Sequence, residues 1–203
     1  MKIQIMINHE HKFIFIHFPS TGGTSIECAL GGEKEILDCS FIQNDCLKHE
    51  CEKAYLPHDS LFKHISPQIA KELYAPYWDE YFKFSFVRNP WSWLVSLWSK
   101  GPRRRKGKNF DTWLKSPELA PHESQSPFNL CDQLHDMDFI GRFESLEQNF
   151  NRICQKLKHP PTRLPHKQRN HRKHYSEYYN SNTQQIVSKL WAKDIEYFGY
   201  QFD

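Results

Sequence analysis

Residues 12–32 read KFIFIHFPSTGGTSIECALGG, and this stretch decides the fold. Phe13 to Phe18 is apolar on both faces apart from His17, the pattern of a central strand covered by helices on each side. The small residues PSTGG interrupt it, and Thr24 to Leu30 follows as a short helix closed by Gly31 and Gly32. A buried strand feeding a helix through a small polar loop is the opening unit of an α/β domain with a parallel sheet.

The same alternation continues outward. A helix is predicted around 69–74, with Ser66 as its cap, and a second strand at 82–87, FKFSFV. RNP breaks that strand, and WSWLVSLWSK forms a helix ended by Gly101 and Pro102. A third strand is expected at 138–143, DFIGRF. Ser145 and Gln148 read as a capping box, after which Leu146, Phe150, Ile153 and Leu157 recur at helical spacing. The last helix is predicted from about Asn182 to Tyr197, with Ile186, Val187, Leu190, Trp191 and Ile195 facing inward. Residues 33–60, 99–130 and 158–175 read as loops, the last of them basic. Strands alternating with helices mean parallel strands joined by right-handed crossovers, so the expected architecture is a three-layer α/β/α sandwich.

At 203 residues the chain suits one domain spanning 1–203, and 38% hydrophobic content gathered into runs is enough for a core. The net charge of +3 is too small to imply nucleic acid, and the aromatics fall at core spacing instead of between basic residues. The six cysteines show no zinc-ligand spacing. Cys39, Cys46 and Cys51 share a polar stretch with His49 and His58 but lack a paired Cys-x-x-Cys, so reduced thiols of a cytoplasmic protein and no metal are expected. No apolar run approaches the roughly 20 residues that span a bilayer.

The loop after the first strand has the makings of an anion site. A strand that stops there and feeds a helix brings free backbone N–H groups and the positive end of a helix dipole to one point. Gly22 and Gly23 would let the backbone approach closely, and the hydroxyls of Thr21, Thr24 and Ser25 could donate to the anion; an ordinary strand-to-helix turn is the alternative. The loop matches neither GxxxxGK[ST], whose lysine reaches the terminal phosphates of a nucleoside triphosphate, nor GxGxxG. ATP hydrolysis and dinucleotide binding are disfavoured.

At these residues the chain resembles the carbohydrate-type sulfotransferases that use 3'-phosphoadenosine 5'-phosphosulfate (PAPS). FIFIHFPSTGGTSIE resembles the family's 5'-phosphosulfate loop, and FKFSFVRNPWSWLVSLW its 3'-phosphate segment, with DFIGRFESLEQNF and DIEYFGYQF similar to its later segments. The resemblance implies a P-loop-like sulfotransferase fold and transfer of a sulfuryl group from PAPS to a hydroxyl, expected on a sugar. It implies that Ser20, Thr21, Gly22, Gly23, Thr24 and Ser25 hold the 5' end, and that Arg88 and Ser96 grip the 3'-phosphate. Ser96 lies eight residues past Arg88, about two helical turns into the next helix, and shares that phosphate only if the helix runs beside the site. The basic run before the last helix is similar to the family's nucleotide loop, which assigns Arg169 and Arg172 to the cofactor, while Arg103, Arg104 and Arg105 are left for an anionic acceptor.

One departure bears on activity. Where the family places a lysine after the loop proline, this chain has Ser20. A hydroxyl can donate a hydrogen bond at the leaving group but brings no charge, and charge-assisted contacts are about twice as strong as neutral ones. Either another cation substitutes, Lys12 or Arg103 to Arg105, or turnover is slow, or the chain holds PAPS and its product adenosine 3',5'-bisphosphate without efficient transfer. The acceptor hydroxyl needs a base, and His64 stands where related sulfotransferases carry a catalytic histidine, with Glu144 and Asp59 as lesser candidates. His17 is expected to be buried and structural.

Overall fold

The computed structural model describes residues 2–31, 34–38, 61–62, 65–100, 107–115, 130–165 and 173–203. Its strands are β1 (Lys2–Asn8), β2 (Phe13–Ile16), β3 (Lys34–Asp38), β4 (Leu61–Phe62), β5 (Phe82–Val87) and β6 (Phe139–Arg142). Its helices are α1 (Gly23–Leu30), α2 (Pro67–Leu73), α3 (Ala75–Trp78), α4 (Pro90–Lys100), α5 (Phe110–Leu114), α6 (Leu130–Gln133), α7 (Leu146–Lys156), α8 (Ser181–Leu190) and α9 (Ala192–Phe198).

The strands form one sheet in the order β3-β1-β2-β5-β6, with β4 beside β1. The predicted parallel core is present: β2 pairs with β5 and β5 with β6, both parallel. The sheet as a whole is mixed, which the sequence reading missed. β1 and β2 are joined by residues 9–12 alone, a connection too short for a parallel crossover, so they pair antiparallel as a hairpin. β3, in a segment expected to be loop, adds antiparallel to the far side of β1. Its sequence KEILD has no alternation to announce a strand; pairing with β1 decides its conformation.

β2 carries the core on both faces, and Phe13, Ile14, Phe15 and Ile16 are each at most 1% exposed. Phe13 and Phe15 join Phe84, Phe86, Ile26, Phe150 and Ile153 under α1 and α7. Ile14 and Ile16 join Leu94, Trp91, Ile69, Val187 and Trp191 under α2, α4, α8 and α9. Alternate side chains of one strand thus feed two hydrophobic layers, which is the three-layer arrangement expected.

Three local expectations are corrected. Ser145 precedes α7 without a side-chain cap, so the capping box does not form. The last helix is two: Trp191 departs from helical geometry at φ −108°, ψ 22°, ending α8 and starting α9. The bend leaves Leu190 exposed while Val187 and Trp191 stay buried. In the segment 99–130, α5 is a helix capped by Asn109, whose side chain accepts from the Thr112 N–H at 2.9 Å. Phe110, Trp113 and Leu114 fall at i, i+3 and i+4, a signal too short to read without its packing partners.

Candidate functional site

The loop between β2 and α1 is held by its carbonyls. Thr21 Oγ donates to the Phe18 carbonyl at 2.8 Å, Trp93 Nε1 to that of Pro19 at 2.7 Å, and Arg88 Nη1 to that of Ser20 at 3.1 Å. In a planar trans peptide the carbonyl of one residue and the N–H of the next point in opposite directions. The Ser20 and Thr21 N–H groups are therefore directed away from Trp93 and Arg88. Gly22 then caps α1 in the left-handed region at φ 92°, and no side chain caps the helix. Of the first-turn N–H groups that of Ser25 donates to the Gly22 carbonyl at 3.0 Å, and those before it keep the positive end of the dipole toward an anion.

The six loop residues differ in what they can do. Ser20, itself left-handed at φ 60°, is partly exposed, as are Gly22, Thr24 and Ser25. Thr21 is 2% exposed and gives its hydroxyl hydrogen to Phe18, so it closes the loop instead of donating to a ligand. Gly23 is buried, and the space its side chain would fill is occupied by His17: an added Cβ would lie 2.0 Å from the imidazole Cδ2. His17 is buried as expected, with Nδ1 2.6 Å from Glu27 Oε1.

Arg88 follows β5 directly, at the carboxyl ends of the parallel strands, where open α/β sheets bind ligands. Asn89 Oδ1 accepts the N–H groups of Trp91 at 3.1 Å and Ser92 at 3.2 Å, so it caps α4. Its Nδ2 donates to the Gln201 carbonyl at 2.9 Å, and its backbone N–H to Glu144 Oε1 at 2.8 Å. The Arg88 guanidinium reaches Ser92 Oγ through Nε at 3.0 Å and Nη2 at 2.7 Å, and lies 4.0 Å from the centroid of the Phe143 ring. A cavity of about 900 Å³ opens here, walled among others by Arg88, Ser92, Phe143, Glu144, Lys173 and Tyr200.

Ser96, expected beside Arg88 on the phosphate, lies off this wall; it is fully buried and its Oγ has no hydrogen-bond partner among the described residues. Lys12, one possible substitute cation, stands at the start of β2, where its carbonyl accepts the Phe82 N–H at 2.8 Å and its amine pairs with Glu80. The whole length of the strand separates it from Ser20, which removes it as a substitute. Glu144 is committed to the Asn89 backbone. His64, Arg169, Arg172, Asp59, Arg103 to Arg105 and the Cys39–His58 stretch lie outside the described residues. Among the described residues no group of three or more His, Cys, Asp or Glu could hold a metal, and no helix is long and apolar enough to cross a membrane.

Sequence reasoning missed Ser92, Trp93, Asn89 and Phe143. Ser92 was within reach of it, because residues four apart near a helix start face the same side. The contacts of Trp93 to Pro19 and of Phe143 to Arg88 join distant parts of the chain and left no local mark.

The sequence model of the sulfotransferase family matches residues 3–201. The structure is similar to the crystal structure of a sulfotransferase from Alicyclobacillus acidocaldarius, at a TM-score of 0.52 and 14% identity over 91% of this chain and 92% of that one, a likeness of fold. No curated protein matches in sequence.

Proposed function

Because the chain belongs to the sulfotransferase family, we propose that it acts as a single domain that moves a sulfuryl group from PAPS to a hydroxyl, on a carbohydrate acceptor. One observation carries the choice of a 3',5'-bisphosphorylated nucleotide: the guanidinium of Arg88 and the N–H of Thr21 face opposite sides of the same peptide unit. A ligand that satisfies both needs two anionic groups, one on the uncapped start of α1 and one on Arg88.

When bound, PAPS supplies the activated sulfuryl group. The first-turn N–H groups of α1, with Thr24 and Ser25, bind the 5' end, and Arg88 binds the 3'-phosphate. Arg169 and Arg172 add charge on the nucleotide. Ser20 offers a neutral donor where charge gathers on the leaving group, and His64 takes the proton of the acceptor hydroxyl. A second reading, a protein that binds the nucleotide without efficient turnover, is favoured by Ser20 alone.

Calorimetry with adenosine 3',5'-bisphosphate and with AMP tests the reading. A charged hydrogen bond is worth about 1.5–3 kcal/mol, so the bisphosphate should bind roughly ten-fold to 150-fold more tightly, and Arg88→Ala should abolish the difference. Equal affinities in the unmodified protein would overturn it. Transfer of label from PAPS to sugar, phenol and steroid acceptors separates turnover from binding.

A further inference from the structure

We infer that His17 and Glu27 are positioning residues for the anion at the 5' end: paired beneath the loop, they fix where the uncapped start of α1 points. The inference rests on the nucleotide reading above and gives a role to two buried polar side chains that it does not use.

His17 directly follows β2, and Glu27 lies in the second turn of α1, so the loop and the first helical turn lie between them. Their side chains meet at 2.6 Å, Nδ1 to Oε1, with 7% and 9% of their surface exposed. A carboxylate only accepts, so Nδ1 is the donor, and Glu27 sets both the tautomer and the orientation of the ring. Phe15 stacks on the same ring, 14° from parallel with the centroids 5.7 Å apart. The ring edge away from Nδ1, made of Cδ2 and Nε2, lies against Gly23, 2.0 and 2.2 Å from where a Cβ would stand. Gly23 opens α1, so its N–H belongs to the turn that no side chain caps. The backbone that holds the anion thus rests on an imidazole that cannot turn without breaking its bond to Glu27.

Stability alone does not call for this pair. The layer under α1 is built from Phe15, Ile26, Phe84 and Phe150, and exchanging both members of a buried polar pair for apolar groups of similar shape is often neutral or stabilising. Apolar packing would fill the space under Gly23 but would lack the directional bond that holds the ring at one angle. A support of fixed angle suits N–H groups whose aim decides how well they meet an anion.

The test compares AMP, which carries the 5' group alone, adenosine 3'-monophosphate, which lacks it, and adenosine 3',5'-bisphosphate. Calorimetry is run on the unmodified protein, on Glu27→Gln and on the double variant His17→Leu with Glu27→Met, with thermal melts as a check of folding. The double variant should bind AMP and the bisphosphate about three- to ten-fold more weakly, with their ratio kept because Arg88 is untouched, and the 3'-monophosphate as before. Glu27→Gln, whose amide oxygen still accepts from Nδ1, should keep all the affinities. A role in packing alone would weaken every ligand alike or none, and either result overturns the inference. NMR spectra of the imidazole nitrogens need no variant: the His17 signals should move on saturation with AMP and hold still with the 3'-monophosphate, and signals that ignore AMP also overturn it. If the unmodified protein binds AMP and the bisphosphate equally, the nucleotide reading fails and takes the inference with it; if it prefers the bisphosphate while the double variant binds as it does, only the inference fails.

Discussion

Gly23 owes its identity to the imidazole of His17, which fills the space a Cβ would take. The sequence suggested that Gly22 and Gly23 admit an anion to the backbone. At both, a protein side chain occupies the space a Cβ would take: His17 at Gly23, and at Gly22 the Leu146 Cδ2, 2.8 Å from an added Cβ. The imidazole cannot yield, being 7% exposed and held by Glu27. Gly23→Ala should therefore destabilise the protein by about 2 kcal/mol or more, read from urea unfolding, because overpacking a rigid core forces a backbone shift. A variant as stable as the parent would show that His17 can turn aside. Ser20, where the resemblance implies a lysine, stands at a left-handed position, which any larger residue placed there must also adopt.

Asp111 shows how elements are fastened to one another. Its carboxylate accepts Lys115 Nζ at 2.8 Å within α5 and its extension, and Asn180 Nδ2 at 3.0 Å at the start of α8. The hydrogen bond from Lys115 first, and that from Asn180 second, hold its pKa below the ordinary 3.8. A carboxyl whose folded value is depressed stabilises the fold above its unfolded value and loses that contribution as pH falls through the folded one. Asp111→Asn should be slightly less stable than the parent at pH 7, by the small amount an exposed pair supplies, and the gap should close in acid, as pH falls through the folded pKa and the carboxyl protonates. Denaturant titrations at both pH values measure this; a gap that persists in acid would mean the amide is at fault for another reason. At the same scale, α8 and α9 read as one helix because their apolar positions keep a continuous period across Trp191, while the bend there is set by packing on α4 and α6.

The cavity belongs to the whole molecule. Its wall takes Arg88, Asn89, Ser92 and Val95 from the segment after β5 and from α4, Arg142 to Ser145 from the end of β6 onward, Lys173 to Tyr175, and Gly199, Tyr200, Gln201 and Asp203 after α9. Phe202 ties these together, its ring 5.6 Å from Trp91, 5.7 Å from Tyr175 and 5.5 Å from Tyr179, all edge to face. Each such pair is worth about 0.5–1.5 kcal/mol beyond the area buried. Phe202→Ala should cost about 2–4 kcal/mol of stability and weaken nucleotide binding, although the side chain is not on the cavity wall. Thermal melts and the same calorimetry read both effects; a loss of stability with binding intact would mean that the wall holds without it.

The sequence by itself determined β2, β5, β6 and the helices that follow them, because the two-sided apolar runs of β2 and β5, the glycine that closes α1 and the helical period of α7 are local signals. It also placed the loop and Arg88 at the strand ends, since the order strand, turn, helix leaves them nowhere else. Only the tertiary structure decided which carbonyl Trp93 meets, which ring covers Arg88, and that β1 and β3 join antiparallel. Those outcomes depend on contacts between residues far apart in the chain, such as Pro19 with Trp93 and Arg88 with Phe143. A side chain's partner across the sheet is fixed by packing, and packing leaves no period in the sequence.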